Sequence, residues 1–210
     1  MRSARSSQRR KRLRLGLLRL TARGLPQRRQ TRTELERVLL LRPDHIGDVL
    51  LTAPAVALLR ASLPRAHITY VVGPWSAEAA RHGPPVDEVR TLAYPGFTRR
   101  PNPNLLWPYA LAVRTAARLR REQYDLALVF RPDHWWGALL GALAAIPLRV
   151  GSQTPETAPL LTHSHATNAP EHAAEQALSL ARLALSVAGV APTPASQVAT
   201  FSVSAVIVLA

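Results

Sequence analysis

The apolar positions of the chain predict an alternation of strands and helices. Apolar or β-branched runs at residues 38–41, 67–72 and 124–130 are typical of strands buried on both faces of a parallel sheet. Weaker strand candidates lie at residues 86–92, 149–151 and 160–163. Helical spacing is found at residues 49–63, 75–81, 111–122 and 171–188, and in an Ala/Leu-rich segment that ends at residue 146. The pattern therefore predicts an α/β protein with a parallel sheet flanked by helices.

The segment between the first strand and the first helix collects polar residues. Gly47 is expected to allow a tight turn, and Asp48 to act as the helix N-cap or as an acid of its first turn. Pro54 is compatible with a helix only near its start or at a kink. In an open α/β sheet such a loop lies at the carboxyl end of a strand, where these folds bind ligands.

The same four residues follow two of the predicted strands. Arg42-Pro43-Asp44-His45 follows the first strand, and Arg131-Pro132-Asp133-His134 follows the strand at residues 124–130. If the two strands are parallel neighbours, both loops face the same crevice. The alternative is that the four residues recur by chance and have no shared role. The proline-rich residues 94–108 are predicted to form a long irregular surface loop, a kind of segment that often borders functional sites.

Composition places the positive charge outside the predicted folded body. The 210 residues carry a net charge of +14 and no cysteine, which excludes disulfides and thiolate metal sites. Residues 1–33 hold 12 of the 27 basic residues and no acid, so the rest of the chain has 15 basic against 13 acidic residues. We therefore expect a basic arm at 1–33, a folded domain at 34–190, and a linker at 191–210 that would start a further domain.

The basic arm allows several interpretations. Leucines alternate with arginines between residues 12 and 20, so the arm is able to form a short basic helix that rests on an anionic membrane surface. A disordered solubilising arm and a start codon assigned too early are the alternatives. Nucleic-acid binding is not expected, because no aromatic residue is interleaved to stack on bases.

Several common chemistries lack their motifs in this chain. No G-x-G-x-x-G, phosphate-binding loop, H-E-x-x-H pair or nucleophile elbow is present, so we expect no bound cofactor and no metal. What remains is the carboxylate of Asp48, with Asp44, His45 and Thr52 nearby in the sequence. A carboxylate in such a loop is able to act as a general base toward a sugar hydroxyl, and a purely structural capping role is the alternative.

An ordered set of motifs resembles one enzyme family. The set comprises Ile46-Gly47-Asp48 with Thr52-x-Pro54, then H-I-T-Y-V-V-G-P-W, Y-D-L-A-L-V-F, R-V-G and L-L-T-H, spread over residues 36–190. It resembles glycosyltransferase family 9, the ADP-heptose:lipopolysaccharide heptosyltransferases. The resemblance implies a GT-B fold, in which two Rossmann-like domains flank a cleft. In this family the N-terminal domain takes the acceptor, the C-terminal domain takes the nucleotide sugar, and transfer needs no metal.

The resemblance also implies roles for individual residues. Asp48 matches the aspartate that serves as general base in the family. We expect the acceptor to be bound by residues of the two tetrapeptide loops and of the first helix: Asp44, His45, Gly47, Thr52, Arg131, Asp133 and His134.

The expected function is that of the acceptor domain, the N-terminal half of a GT-B glycosyltransferase. The donor would be a nucleotide-diphosphate sugar like ADP-heptose, and the acceptor a lipopolysaccharide-type or other lipid-linked saccharide at the cytoplasmic membrane face. Lys11 is the sole lysine and the donor-binding residues of the family have no counterpart, so we expect no activity from the chain alone. It would be a fragment, a truncated reading frame or half of a split enzyme. A non-catalytic saccharide- or membrane-binding module is the alternative function.

Overall fold

The computed structural model describes residues 34–83, 85–98, 106–166 and 171–194, together with the isolated positions 15, 16, 24, 196 and 198. Most of the predicted arm, residues 99–105 of the proline-rich segment and most of residues 191–210 lie outside the described residues. The described strands are β1 (Arg37–Arg42), β2 (His67–Val72), β3 (Glu88–Thr91), β4 (Leu126–Val129), β5 (Leu148–Ser152) and β6 (His163–His165).

These strands form one parallel sheet with the order β3-β2-β1-β4-β5-β6. The chain runs outward from β1 to one edge, returns to place β4 beside β1, and then runs outward to the other edge. The strand order therefore reverses between β1 and β4, and open α/β sheets bind ligands at this kind of switch point. The predicted α/β, Rossmann-like fold is confirmed.

Helices cover both faces of the sheet. The described helices are α1 (Ile46–Leu51), α2 (Ala53–Ser62), α3 (Ala77–Arg81), α4 (Trp107–Glu122), α5 (Trp135–Leu143) and α6 (Ala173–Val187), and Pro74–Ser76 forms a 3-10 turn. On one face, α2, α3 and α6 pack against alternate strand residues such as Val38 and Leu40. On the other face, α4 and α5 pack against Leu39 and Leu41. Burial on both faces explains why the central strands are apolar without alternation.

The first predicted helix is in fact two helices. Thr52 ends α1 and precedes α2, and Pro54 lies in the first turn of α2, where its missing N–H costs no hydrogen bond. The expectation of a helix start or kink at Pro54 is thus confirmed. The tight turn expected at Gly47 is wrong, because α1 already begins at Ile46 and Gly47 is its second residue.

Other boundaries differ by a few residues. The irregular loop predicted for residues 94–108 ends earlier, because Trp107 and Pro108 already belong to α4 and proline is tolerated in a first turn. The third strand is limited to Glu88–Thr91, and the strand predicted at 160–163 forms at His163–His165. Gly189 follows the end of α6 with a φ of 71°, a left-handed conformation that glycine adopts without strain.

Candidate active site at the switch point of the sheet

Asp44 lies at the centre of the switch point, buried directly after β1. Its backbone carbonyl accepts hydrogen bonds from Trp75 Nε1 at 2.9 Å and from Ser76 Oγ at 3.2 Å. Both donors follow β2, so the loop after β1 is tied to the loop after the neighbouring strand. This fixes the backbone from which α1 begins two residues later.

The carboxylate of Asp44 is shared by two arginines. Arg131 Nη1 donates a hydrogen bond to Asp44 Oδ1. Arg42 Nε lies 2.8 Å from Asp44 Oδ2 in an ion pair, although its N–H is not aligned for a hydrogen bond. The side chain of Arg42 is only 6% exposed, so it needs a compensating charge inside the protein. Asp44 therefore joins the two tetrapeptide loops across the β1–β4 boundary.

Asp48 is a partly solvent-exposed acid next to this pair of arginines. It lies in the first turn of α1, whose N-cap is His45 and whose N-terminus has no side-chain cap. Its side chain is 44% exposed, and its Oδ1 lies 3.5 Å from Arg42 Nη2. Asp48 is thus a first-turn acid and not the N-cap. Its carboxylate is held on one side by a buried guanidinium and is open to a ligand on the other.

Arg131 is enclosed by groups that favour its charge. Its Nε donates to Asp133 Oδ1 at 2.7 Å, and its guanidinium carbon lies 5.0 Å from the centre of the Phe97 ring. Burial alone would lower the pKa of Arg131, but the hydrogen bonds and charges of Asp44 and Asp133 outweigh burial and raise the pKa above its ordinary value. Asp133 itself is 70% exposed.

His134 is buried among aromatic rings. It is 4% exposed, with ring centroids 5.2 Å from Tyr94 and 5.8 Å from Phe97. Neither ring nitrogen has a hydrogen-bond partner within the described part of the chain. Burial, together with the positive charges of Arg131 and Arg42, lowers the pKa of His134 to about 3, so the ring is neutral at physiological pH.

Thr52 is buried between α1 and α2. Its hydroxyl lies 2.6 Å from the Val49 carbonyl oxygen and 2.7 Å from the Tyr70 hydroxyl. Since the Thr52 hydroxyl donates to Val49, the Tyr70 hydroxyl is the donor to Thr52. Burial raises the pKa of Tyr70 to about 12, which keeps that hydroxyl protonated. Thr52 thus supports the break between the helices from the core side.

The predicted site residues fall into two groups. Asp44, Asp48, Arg131 and Asp133 form one connected charge cluster around Arg42, and the exposed His45 and Gly47 lie beside it on the same loop and helix. Thr52 and His134 are buried behind this cluster and offer almost no surface to a ligand.

Arg42 was not among the predicted site residues. Its position as the first residue of the repeated tetrapeptide was the available signal. Trp75, whose indole N–H bonds the Asp44 carbonyl, lies in the matched H-I-T-Y-V-V-G-P-W stretch but was also not selected. Within the described residues, no group of three or more His, Asp or Glu is placed to hold a metal ion.

The chain is similar in fold to solved structures of glycosyltransferases. The chain aligns with a glycosyl transferase family 9 protein from Veillonella parvula with a TM-score of 0.59 and 20% identity, over 76% of this chain and 42% of that one. It aligns with E. coli heptosyltransferase WaaC in complex with ADP with a TM-score of 0.57 and 21% identity, over 71% of this chain and 47% of that one. The alignment with WaaC in complex with ADP-2-deoxy-2-fluoro heptose has a TM-score of 0.56 and 21% identity, over 71% of this chain and 48% of that one.

These likenesses confirm, at the level of fold, the resemblance to glycosyltransferase family 9 that the motifs predicted. The chain spans less than half the length of each of these solved structures. No protein-family model and no curated protein matches the sequence.

Proposed function

We propose that the chain is the acceptor-binding domain of an inverting, GT-B-type glycosyltransferase, with Asp48 as its general base. The observation that carries the proposal is the half-exposed Asp48 carboxylate at the sheet's switch point, ion-paired with the buried Arg42. A glycosyltransferase-like fold and a motif matching the family's aspartate at this position support it. The alternative role of Asp48 as the helix N-cap does not fit, because His45 occupies that position.

The proposed chemistry needs one proton transfer at Asp48. A hydroxyl oxygen of the acceptor attacks the anomeric carbon of the donor sugar, and Asp48 takes the hydroxyl proton as the new bond forms. The bond from the anomeric carbon to the nucleotide diphosphate breaks, and the diphosphate leaves with the electron pair. Attack from the opposite side inverts the anomeric centre. We propose no cofactor or metal ion for this step.

The buried charges around Asp48 act as support for the base. Arg42 holds the carboxylate on one side, Asp44 holds Arg42, and Arg131 in turn holds Asp44. Because Arg42 is itself held in position, the Asp48 carboxylate needs little reorganisation during the reaction. We assign direct acceptor contacts to the accessible His45, Gly47, Arg131 and Asp133, and supporting roles to the buried Asp44, Thr52 and His134.

For the substrates we propose a nucleotide-diphosphate sugar of the ADP-heptose kind and a lipid-linked saccharide of the lipopolysaccharide type. The solved WaaC structures of similar fold contain ADP and an ADP-linked fluoro sugar, which supports this class of donor. The proposals for the acceptor and for a location on the cytoplasmic face of the membrane rest on the family resemblance. Within the described residues, no helix is both long and apolar enough to cross a bilayer.

Two measurements test the proposal. Titration of the full chain should show saturable binding of the lipid-linked saccharide and none of the nucleotide sugar, because the acceptor side alone is assigned to this domain. Saturable donor binding would contradict that assignment. Transfer is then measured with the chain joined to a heptosyltransferase-type donor domain.

In the joined protein, Asp48→Asn should lower turnover by at least about a hundredfold, since a positioned general base contributes about 10²–10⁴. Glu34→Gln is the matched control, because Glu34 is an exposed acid, ion-paired with Arg65, and precedes β1 at its amino end. Equal turnover of the two variants would exclude Asp48 as the base. Acceptor binding without any transfer would favour a non-catalytic saccharide-binding module.

A further inference from the structure

The outer side of α4 exposes large apolar side chains at helical spacing. Leu106, just before the helix, and Val113 are largely exposed, and Tyr109 between them is partly so. Val113 alone leaves 57% of its surface in water. Positions 106, 109 and 113 follow the three- and four-residue spacing that places side chains in one row along a helix. Such a row on a folded domain commonly marks a contact surface.

A row of arginines runs beside the apolar row. Arg114, Arg118 and Arg121 are exposed at the same helical spacing, and Arg120 is exposed near the end of the apolar row. Within the described residues, none of the four forms an ion pair. The one acid of α4, Glu122, is engaged by Arg90 and Arg37 instead. The outer side of α4 is therefore both apolar and strongly basic, and no acid in the described part of the chain pairs with its arginines.

The first turn of α4 contacts the first turn of α5, which follows the loop that carries Arg131. The Pro108 carbonyl in the first turn of α4 accepts a hydrogen bond from Trp136 Nε1 at 2.8 Å, and the Tyr109 ring lies 6.1 Å from that of Trp135. Both tryptophans begin α5, directly after the loop that carries Arg131. The apolar end of the α4 row thus lies next to the candidate active site, and the arginines extend away from it.

We propose that the outer side of α4, which we name the α4 surface (residues 106, 109, 113, 114, 118, 120 and 121), docks on an anionic lipid bilayer. Charge complementarity selects this occupant, because clustered unpaired arginines attract anionic headgroups. The neighbouring Leu106, Tyr109 and Val113 then enter the boundary between headgroups and acyl chains, as in helices that lie in a membrane interface. Tyrosine beside tryptophan is typical of that depth.

The α4 surface is distinct from the basic arm at residues 1–33 and from the charge cluster around Asp48. The proposal does not depend on sugar transfer, so its failure would leave the assignment of Asp48 unaffected. A nucleic acid would also attract the arginines, but it has no apolar interior for Val113. The test therefore has to report on the environment of that side chain as well as on binding.

The absence of native cysteine allows a single-site label in the full chain. Val113→Cys and Ser186→Cys are each labelled with an environment-sensitive dye, Ser186 being an exposed residue of α6 on the opposite face of the sheet. Vesicles of phosphatidylcholine mixed with phosphatidylglycerol should shift the emission of the Val113→Cys label to the blue, and the Ser186→Cys label should not respond. Vesicles of phosphatidylcholine alone should give a much weaker shift.

Charge substitutions provide the second readout. Arg118→Gln should lower the partition coefficient onto anionic vesicles about fivefold, the expected contribution of one basic residue near the surface. Arg182→Gln, at an exposed position of α6, removes the same charge and should change partitioning little. The proposal would be overturned by vesicle binding without an emission shift at position 113, or by equal shifts at positions 113 and 186. It would also be overturned by equal effects of the two arginine substitutions, or by an emission shift that duplex RNA produces.

Discussion

Asp44 accepts a hydrogen bond from Arg131 although 87 residues separate the two in the sequence. The same carboxylate is ion-paired with Arg42, so one buried acid serves two arginines from two different loops. Asp133, which holds the equivalent place in the second tetrapeptide, pairs with Arg131 and with no other described side chain, and it is largely exposed. The two aspartates therefore offer a matched comparison of a buried and an exposed partner of the same arginine.

Asp44→Asn should destabilise the fold by about 3–5 kcal/mol, because it leaves the buried Arg42 with only the half-exposed and more distant Asp48 as its counter-charge. Asp133→Asn should cost at most about 1 kcal/mol, since exposed ion pairs contribute little. Urea unfolding of the two variants beside the wild type measures the difference. Equal losses of stability would mean that Asp44 is not the acid that holds the switch point together.

His134 should make stability depend on pH in the acid range. Its pKa is lowered from 6.5 to about 3 in the folded protein, so below pH 6.5 the unfolded chain takes up a proton that the folded chain does not. Stability is therefore complete above pH 6.5 and falls as the pH falls, by up to about 1.4 kcal/mol per pH unit. The difference in unfolding free energy between wild type and His134→Phe should be flat above pH 6.5 and change steadily below it. Parallel pH profiles would show that His134 is accessible to protons in the folded state.

Gly137 provides a separate test of how tightly His134 is packed. A Cβ at this position would lie 2.5 Å from His134 Nδ1, so Gly137→Ala forces the imidazole or the helix to move. We expect overpacking to lower the free energy of unfolding by about 1–3 kcal/mol, although alanine favours the helix over glycine by about 1 kcal/mol. In a His134→Ala background the same substitution should cost less. A Gly137→Ala variant more stable than wild type would place the imidazole elsewhere.

The hydroxyl pair of Thr52 and Tyr70 should respond unequally to removal of either member. Thr52→Val leaves the Tyr70 hydroxyl buried without its partner and should cost about 1–3 kcal/mol. Tyr70→Phe leaves Thr52 still bonded to the Val49 carbonyl and should cost about 1 kcal/mol. In a double-mutant cycle followed by thermal unfolding, the double variant should lose less than the sum of the two. Additive losses would argue against the bond.

The sequence predicted the parts of the fold that depend on local pattern. The strand at His67–Val72 has the predicted bounds, because a β-branched run ends at a Gly-Pro pair there. The two tetrapeptide loops meet as expected, because they follow strands that prove to be parallel neighbours. The start of α4 was predicted less well, because proline is allowed in a first turn and Pro108 is therefore helical and not part of the loop.

The parts of the site that were not predicted depend on register. Leu41 pairs with Val129, so Arg42 is opposite Phe130 and the second tetrapeptide begins one residue later along the sheet. Identical residues consequently occupy different environments: Asp44 is buried and Asp133 exposed, whereas His45 is exposed and His134 buried. A tetrapeptide repeated in the sequence gives no sign of this offset, because it arises only when the strands pair. The support of Asp48 by Arg42 is local, but it depends on the path of the loop between them, which the residue pattern does not give.

The pairing of β1 with β4 also bears on the order in which the protein folds. Val38 pairs with Leu126, so the central contact of the sheet closes a long stretch of chain, and such contacts form slowly. During synthesis, β1 can pair with β2 soon after both have emerged, but its other edge stays open until the chain has been made as far as Val129. A central strand of the finished protein is thus an edge strand of the nascent one. For that interval Leu39 and Leu41 lack much of the cover they have in the native fold, and this is when the protein is most open to association with other chains.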